Sequence, residues 1–149
     1  MPVASTTTPV STLGVVIVNY NTLDLTVNCV ASLLHHGVAA AADIVIVDNA
    51  SPDGSGVRLQ AALPEGVRVV LSTRNGGFGA GVNLGVEASS TDLVLVLNPD
   101  TYFKRNDVDT IRRLFDLEYG KPSDLIYSDN SFSIKSCMGV RQGSVLGPL

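Results

Sequence analysis

Four short polar clusters hold the residues of this chain whose chemistry goes beyond packing. They are Asn19-Tyr20-Asn21-Thr22, Asp48-Asn49-Ala50-Ser51, Ser72-Thr73-Arg74-Asn75-Gly76-Gly77-Phe78-Gly79 and Asn98-Pro99-Asp100. A carboxylate such as Asp48 accepts hydrogen bonds from a base N–H or a ribose hydroxyl, and Arg74 brings a planar cation suited to a phosphate or a base edge. Gly76, Gly77, Gly79 and Gly81 let backbone approach a ligand closely, and a helix that starts there turns its free N–H groups toward an anion. Asp100 offers the hard oxygen donor that Mg2+ or Mn2+ takes beside a diphosphate. Any one cluster alone is also what an ordinary turn uses, because Asn, Asp, Gly and Ser are turn residues. Their meaning depends on what precedes them.

Each cluster follows a strand-like run. Gly14–Val18, Asp43–Val47, Val67–Leu71 and Leu93–Leu97 are short, mostly apolar and rich in β-branched residues, the pattern of strands buried on both faces of a parallel sheet. Between the first two, Asp24–His36 carries Leu25, Cys29, Leu33 and His36, with Val30 and Leu34 alongside, at helical spacing. Thr22 stands where it can cap that helix, and Gly37 where it can end it. Further helices are expected over Gly56–Ala62 and Gly79–Ala88. Strand and helix alternate, which predicts an α/β fold with a parallel sheet and right-handed crossovers. In open sheets of this kind ligands bind in the crevice outside the carboxyl ends of the strands. All four clusters fall there, and their combined chemistry fits a sugar nucleotide.

The bulk properties narrow the field. A chain of 149 residues supports one ordinary domain. Its net charge of −4 leaves no electrostatic footprint for stable nucleic-acid binding or for an anionic membrane. No apolar run approaches the roughly 20 residues of a membrane span. The glycine spacing departs from the dinucleotide fingerprint and follows the third strand rather than the first, which disfavours a nicotinamide cofactor. There is no Gly-Lys-Ser/Thr phosphate loop. Cys29 and Cys137 fit no metal spacing; Cys29 reads as a buried helical thiol in a reducing, cytoplasmic compartment. Met1–Thr12 is rich in Ser, Thr and Pro without a basic start or an apolar core, so it reads as a disordered leader and not a signal peptide.

Composition changes sharply near residue 103. Residues 1–103 hold no lysine and three arginines against eight acidic residues, whereas residues 104–149 hold seven basic residues against six acidic ones. The last alanine is Ala88. The expected organisation is therefore a leader at 1–12, a ligand-binding half-domain at 13–103 and a tail at 104–149. The tail reads as a short, unrelated α+β segment of different origin, joined near Phe103–Asp107.

Val15-Val-Ile-Val-Asn-Tyr-Asn21, Ile46-Val-Asp-Asn-Ala-Ser51, Arg74-Asn-Gly-Gly-Phe-Gly-Ala-Gly-Val-Asn83 and Leu97-Asn-Pro-Asp-Thr101 resemble, in order and spacing, the family 2 glycosyltransferases, in particular their rhamnosyltransferase-like branch. The resemblance covers about residues 14–103. It implies part of a GT-A, Rossmann-like parallel sheet with flanking helices, and inverting transfer of a sugar from a dTDP- or UDP-linked donor. It further implies a protein of the cytoplasm or the inner membrane face. By that likeness Asp48 binds the base or ribose, with Tyr20, Asn21 and Ser51 lining the nucleoside pocket. Arg74, Asn75, Gly77 and Asn83 lie along the nucleotide. Asn98 and Asp100 stand where the family has its Asp-x-Asp motif, with Asp100 the ligand for Mg2+ or Mn2+ and Asn98 replacing the first acid. The family's general base comes later in its domain, and no carboxylate here is assigned to that role. A catalytically incomplete glycosyltransferase is therefore expected, and its acceptor saccharide is left open.

The tail resembles something else. Gly139-Val-Arg-Gln-Gly-Ser-Val-Leu-Gly-Pro-Leu149 is similar to a segment of non-LTR-retrotransposon reverse transcriptases, with Ile111–Tyr119 expected as a helix and Phe132–Met138 as a strand. The aspartates that hold catalytic metal in those enzymes have no counterpart, so no polymerase activity is expected. Two other readings remain: a non-catalytic nucleotide-binding module, marked by the missing base, and a reverse-transcriptase-derived fragment, opposed by the missing basic patch.

Overall fold

The structure, a computed structural model, describes residues 12–105, 107 and 109–111, and the backbone of 125–126 and 133–134. The expected leader lies outside the described residues apart from Thr12, as do the reverse-transcriptase-like motif and most of the helix expected over Ile111–Tyr119. The elements run β1 (Leu13–Asn19), α1 (Leu23–His35), a 3-10 turn (Ala41–Asp43), β2 (Ile44–Asp48), α2 (Ser55–Ala62), β3 (Arg68–Leu71), α3 (Phe78–Ala88) and β4 (Leu93–Leu97). In the tail, β5 (Leu125–Ile126) and β6 (Ser133–Ile134) pair antiparallel, β6 falling inside the strand expected over Phe132–Met138.

The first four strands form one parallel sheet in the order β3-β2-β1-β4. Val15–Val18 and Ile44–Val47 are buried along their whole length, as central strands between two helical layers must be. β3 and β4, the outer strands of this sheet, are only partly buried. The chain steps outward from β1 through β2 to β3 and then returns to the other side of β1 for β4. Right-handed crossovers put the returning helix on the opposite face. The packing follows: Cys29, Val30 and Leu33 of α1 and Leu59 of α2 cluster with Val15, Ile17, Ile44 and Ile46. Leu84 and Val86 of α3 lie with Val16, Val45, Val47 and Val94 on the reverse face.

Two glycines set the distance of α3 from the sheet. A Cβ on Gly81 would stand 2.7 Å from Val18 Cγ1, and one on Gly85 would overlap Val16. Gly81 thus serves helix–sheet contact; it does not line the ligand approach expected for it, because it is buried against β1. At the far end of α1, Gly37 adopts φ 65° and donates to the Leu34 carbonyl, while Val38 N–H bonds to Leu33 O. This pair of bonds is the glycine stop foreseen at Gly37. Thr22 behaves differently from expectation. It occupies the cap position, but its hydroxyl donates to Asn19 Oδ1 at 2.9 Å and accepts no bond from a helix N–H, because the buried amide oxygen there requires donors.

After β4 the chain turns back over α1. Phe103 is buried in the α1 core, its N–H donates to Ser32 Oγ at 3.2 Å, and Ile111 packs against the same cluster. Packing on this face therefore continues past the composition change.

Candidate functional site

Parallel strands deliver their carboxyl ends to one edge, so the four polar clusters share that edge. Register makes Asn19 and Asp48 neighbours on β1 and β2. The Asn19 side chain is completely buried, and its amide nitrogen donates to Asp48 Oδ1 at 2.7 Å, Ser55 Oγ at 3.1 Å and Ser51 Oγ at 3.3 Å. Its Oδ1 accepts from Thr22 at 2.9 Å and Thr26 at 2.8 Å. One side chain thereby joins β1, α1, β2 and α2. Asp48 is itself only 4% exposed. Besides Asn19 it accepts from the Ser51 hydroxyl at 2.6 Å and the Ser51 N–H at 3.0 Å. Ser51 Oγ in turn accepts from the Asn21 N–H at 3.0 Å. Asn21 and Ala50 both take left-handed backbone angles, φ 55° and 58°. Asn tolerates that region, whereas for Ala it costs about 1 kcal/mol, a strain that brings Ser51 back over Asp48. Gly56, in the first turn of α2, lies so close that a Cβ would sit 2.6 Å from Asp48 Oδ2.

The neighbouring residue faces the other way along the edge. Asn49, also 4% exposed, donates through Nδ2 to Asn75 Oδ1 at 2.9 Å and to the Gly77 carbonyl at 3.1 Å. Its Oδ1 accepts from Gly76 N–H at 3.3 Å, and Asn75 Oδ1 also accepts from Gly77 N–H at 2.9 Å. Gly77 caps α3 at φ 86°, and its carbonyl receives the helical bond from Gly81 N–H. The glycine loop is thus anchored to β2, and the start of α3 faces the edge with N–H groups that have no partner within the helix.

At the third part of the edge, Asn98 and Asp100 are exposed after β4. Cys29 lies beneath them, 1% exposed, with its Sγ 4.0 Å from the Asn98 carbonyl. Burial, and then the nearby Asp100 charge, push this thiol from 9.0 up to about 11. The structure thus bears out the buried helical thiol read from the sequence. Just before α2, hydrogen bonds from the Ser55 side chain and N–H hold the Asp53 carboxyl below its ordinary range.

Of the residues singled out from sequence, Asn21, Asp48 and Ser51 come together in one network, with exposed Tyr20 at its rim. Asn75 and Gly77 meet in the glycine loop. Arg74 and Asn83 are exposed and stand outside both networks; Asn83 lies on the face of α3 opposite the sheet-packing Gly81 and Gly85. Asn98 and Asp100 form the third group. Asn19, Asn49, Thr26 and Ser55 were not assigned roles from sequence, although Asn19 and Asn49 sit inside the quoted motifs.

A doubly wound α/β domain with its polar clusters gathered at the strand ends, the place where such folds bind ligands, is what fold and site define. Within that class, the profile described as glycosyl transferase family 2 matches residues 14–120, and the chain belongs to that family. The match runs beyond the composition change near residue 103. A glycosyltransferase of Streptococcus pneumoniae serotype 4, GlyG, is 28% identical over 101 residues, covering 66% of this chain and 33% of that protein. Residues 1–349 of S. aureus TarS superpose with a TM-score of 0.55 at 19% identity over 71% of this chain and 32% of theirs. The same TarS region in complex with UDP-GlcNAc gives 0.52 at 19% identity, over 71% and 31%. This likeness bears out the mixed α/β, GT-A-like fold. The chain spans about a third of the length of each of these proteins. No helix among the described residues is long and apolar enough to cross a membrane.

Proposed function

We propose that residues 13–103 bind a nucleoside-diphosphate sugar, UDP- or dTDP-linked, as the donor for inverting transfer to a saccharide hydroxyl. The observation that carries this reading is the buried Asn19–Asp48–Ser51 network at the ends of two central strands. It aligns acceptor atoms and the Asn21 backbone where a nucleoside can be read, with the glycine loop beside it for phosphate. A protein of similar fold is known in complex with UDP-GlcNAc, and this chain's family membership supports the same class of ligand.

Among the described residues no group of three or more His, Cys, Asp or Glu could hold a metal ion. A single carboxylate still fits Mg2+ or Mn2+, because such ions take one or two carboxylates and complete their shell with substrate phosphates and water. Asp100, exposed at the end of β4 with Asn98 beside it, is the residue we assign to hold it. When bound, the ion offsets charge that develops on the diphosphate leaving group. Asp48 and Ser51 orient the nucleoside, and the glycine loop and exposed Arg74 meet the diphosphate. No carboxylate of these residues is assigned as general base, and we infer that this chain binds donor without completing efficient transfer. Calorimetry with UDP-GlcNAc, UDP-glucose and dTDP-rhamnose, with and without Mn2+, tests the proposal. Micromolar binding strengthened by Mn2+ is expected; no binding of any of the three would overturn it.

A further inference from the structure

We infer that Asn49 is a positioning residue that sets the glycine loop for the phosphate end of the ligand, separately from the network that sets the nucleoside end. The inference rests on the proposed donor-binding function. Its physical basis is a division of labour between adjacent residues. Successive side chains of an extended strand end point to opposite sides, and here Asp48 turns toward Asn19 and Ser51 while Asn49 turns toward Asn75, Gly76 and Gly77.

The geometry leaves Asn49 little freedom. It is nearly fully buried, it spends both amide protons on oxygens of the loop, and it takes up the Gly76 N–H with its own oxygen. Both receiving atoms, Asn75 Oδ1 and Gly77 O, are acceptors, so the position requires a donor. The Gly77 carbonyl is the one that opens α3 by accepting from Gly81 N–H. Gly77 also has a φ of 86°, which leaves the loop without a backbone preference strong enough to hold it alone. The Asn49 amide therefore fixes both the loop and the aim of the helix start, the two features that meet an anion.

The closing test compares the wild-type chain with Asn49→Asp, which keeps size but faces acceptors with an acceptor. Uridine and UDP are titrated into each, and hydrogen exchange of the Gly76 and Gly81 amides is followed without ligand. The expected result, in the neutral Asn49→Ala as well as in Asn49→Asp so that added charge is not its cause, is UDP binding weakened about tenfold with uridine binding changed less than about twofold. Faster exchange at Gly76 and Gly81 is expected alongside. Equal losses for uridine and UDP, or unchanged exchange at both amides, would overturn the inference. Should Asn49→Asp fail to fold, Asn49→Ala removes the donor without adding charge and carries the same comparison. If the wild-type chain binds neither ligand, the donor-binding reading fails, while the exchange result still decides whether Asn49 holds the loop.

Discussion

Asp48 and Asp100 each follow a strand of one parallel sheet, yet their surroundings are opposite. Asp48 is buried, accepts three hydrogen bonds and sits beneath a strained loop. Asp100 stands exposed beyond the end of β4. The contrast follows from strand order: β2 lies inside the sheet with β1 and β3 on either side, whereas β4 has β1 on one side only among the described residues. A carboxylate enclosed by neighbouring strands is organised before any ligand arrives. One at the outer strand is open for partners supplied by the ligand. Preorganisation at one end and openness at the other suit a molecule with a rigid nucleoside and a charged, metal-binding diphosphate.

The comparison is broken most forcefully at Asn19. Asn19→Ala removes the donor to Asp48 and the acceptor for Thr22 and Thr26, leaving buried polar groups unpaired. A loss of about 3 kcal/mol is expected in urea unfolding; a change below about 0.5 kcal/mol would show that the network is not preorganised. The next effect lies beneath Asp100. The Cys29 thiol is raised from 9.0 to about 11 in the folded protein, so the folded state keeps its proton between those values while the unfolded chain loses it. Stability from this group is therefore complete below pH 9 and falls as pH rises from about 9 to about 11, by at most about 2.7 kcal/mol. Denaturation followed between pH 8 and 11 checks the slope, and Cys29→Ser should flatten it. The smallest effect on the fold is expected at Asp100 itself. Asp100→Asn should leave stability within about 0.5 kcal/mol while abolishing the gain that Mn2+ gives to donor binding. Alkylation kinetics should show the Cys29 thiol only modestly easier to ionise in that variant, since burial and not Asp100 is the larger cause of its shift.

The fold could be read from sequence where burial is uniform. Unbroken apolar runs mark β1 and β2 because a strand covered on both faces has no polar side to alternate with, and the apolar run at Leu93–Leu97 coincides with β4 although that strand is only partly buried. The helices begin one residue earlier than their apolar spacing suggests, since their first positions are set by local turns at Thr22, Gly54 and Gly77. The site was legible as a set of strand-end clusters but not as a hierarchy. Asn19 and Asn49 look like any turn asparagine, and their importance comes from partners 26–36 residues distant in the chain that only the sheet brings near. Likewise a glycine that lets a helix lie on a sheet, as Gly81 does, has the same letter as one that admits a ligand.

One clasp has a mechanical consequence. The Ser32 hydroxyl takes the Phe103 N–H and donates to the Cys29 carbonyl one helical turn away. The stretch bearing Asp100 is thereby moored at both ends, by β4 on one side and by α1 on the other. Such a bowed segment can flex in its middle but cannot swing as a flap. On the proposed donor-binding reading, closure around the donor then falls to the opposite rim of the cleft, while the Asp100 stretch stays tethered to β4 and α1.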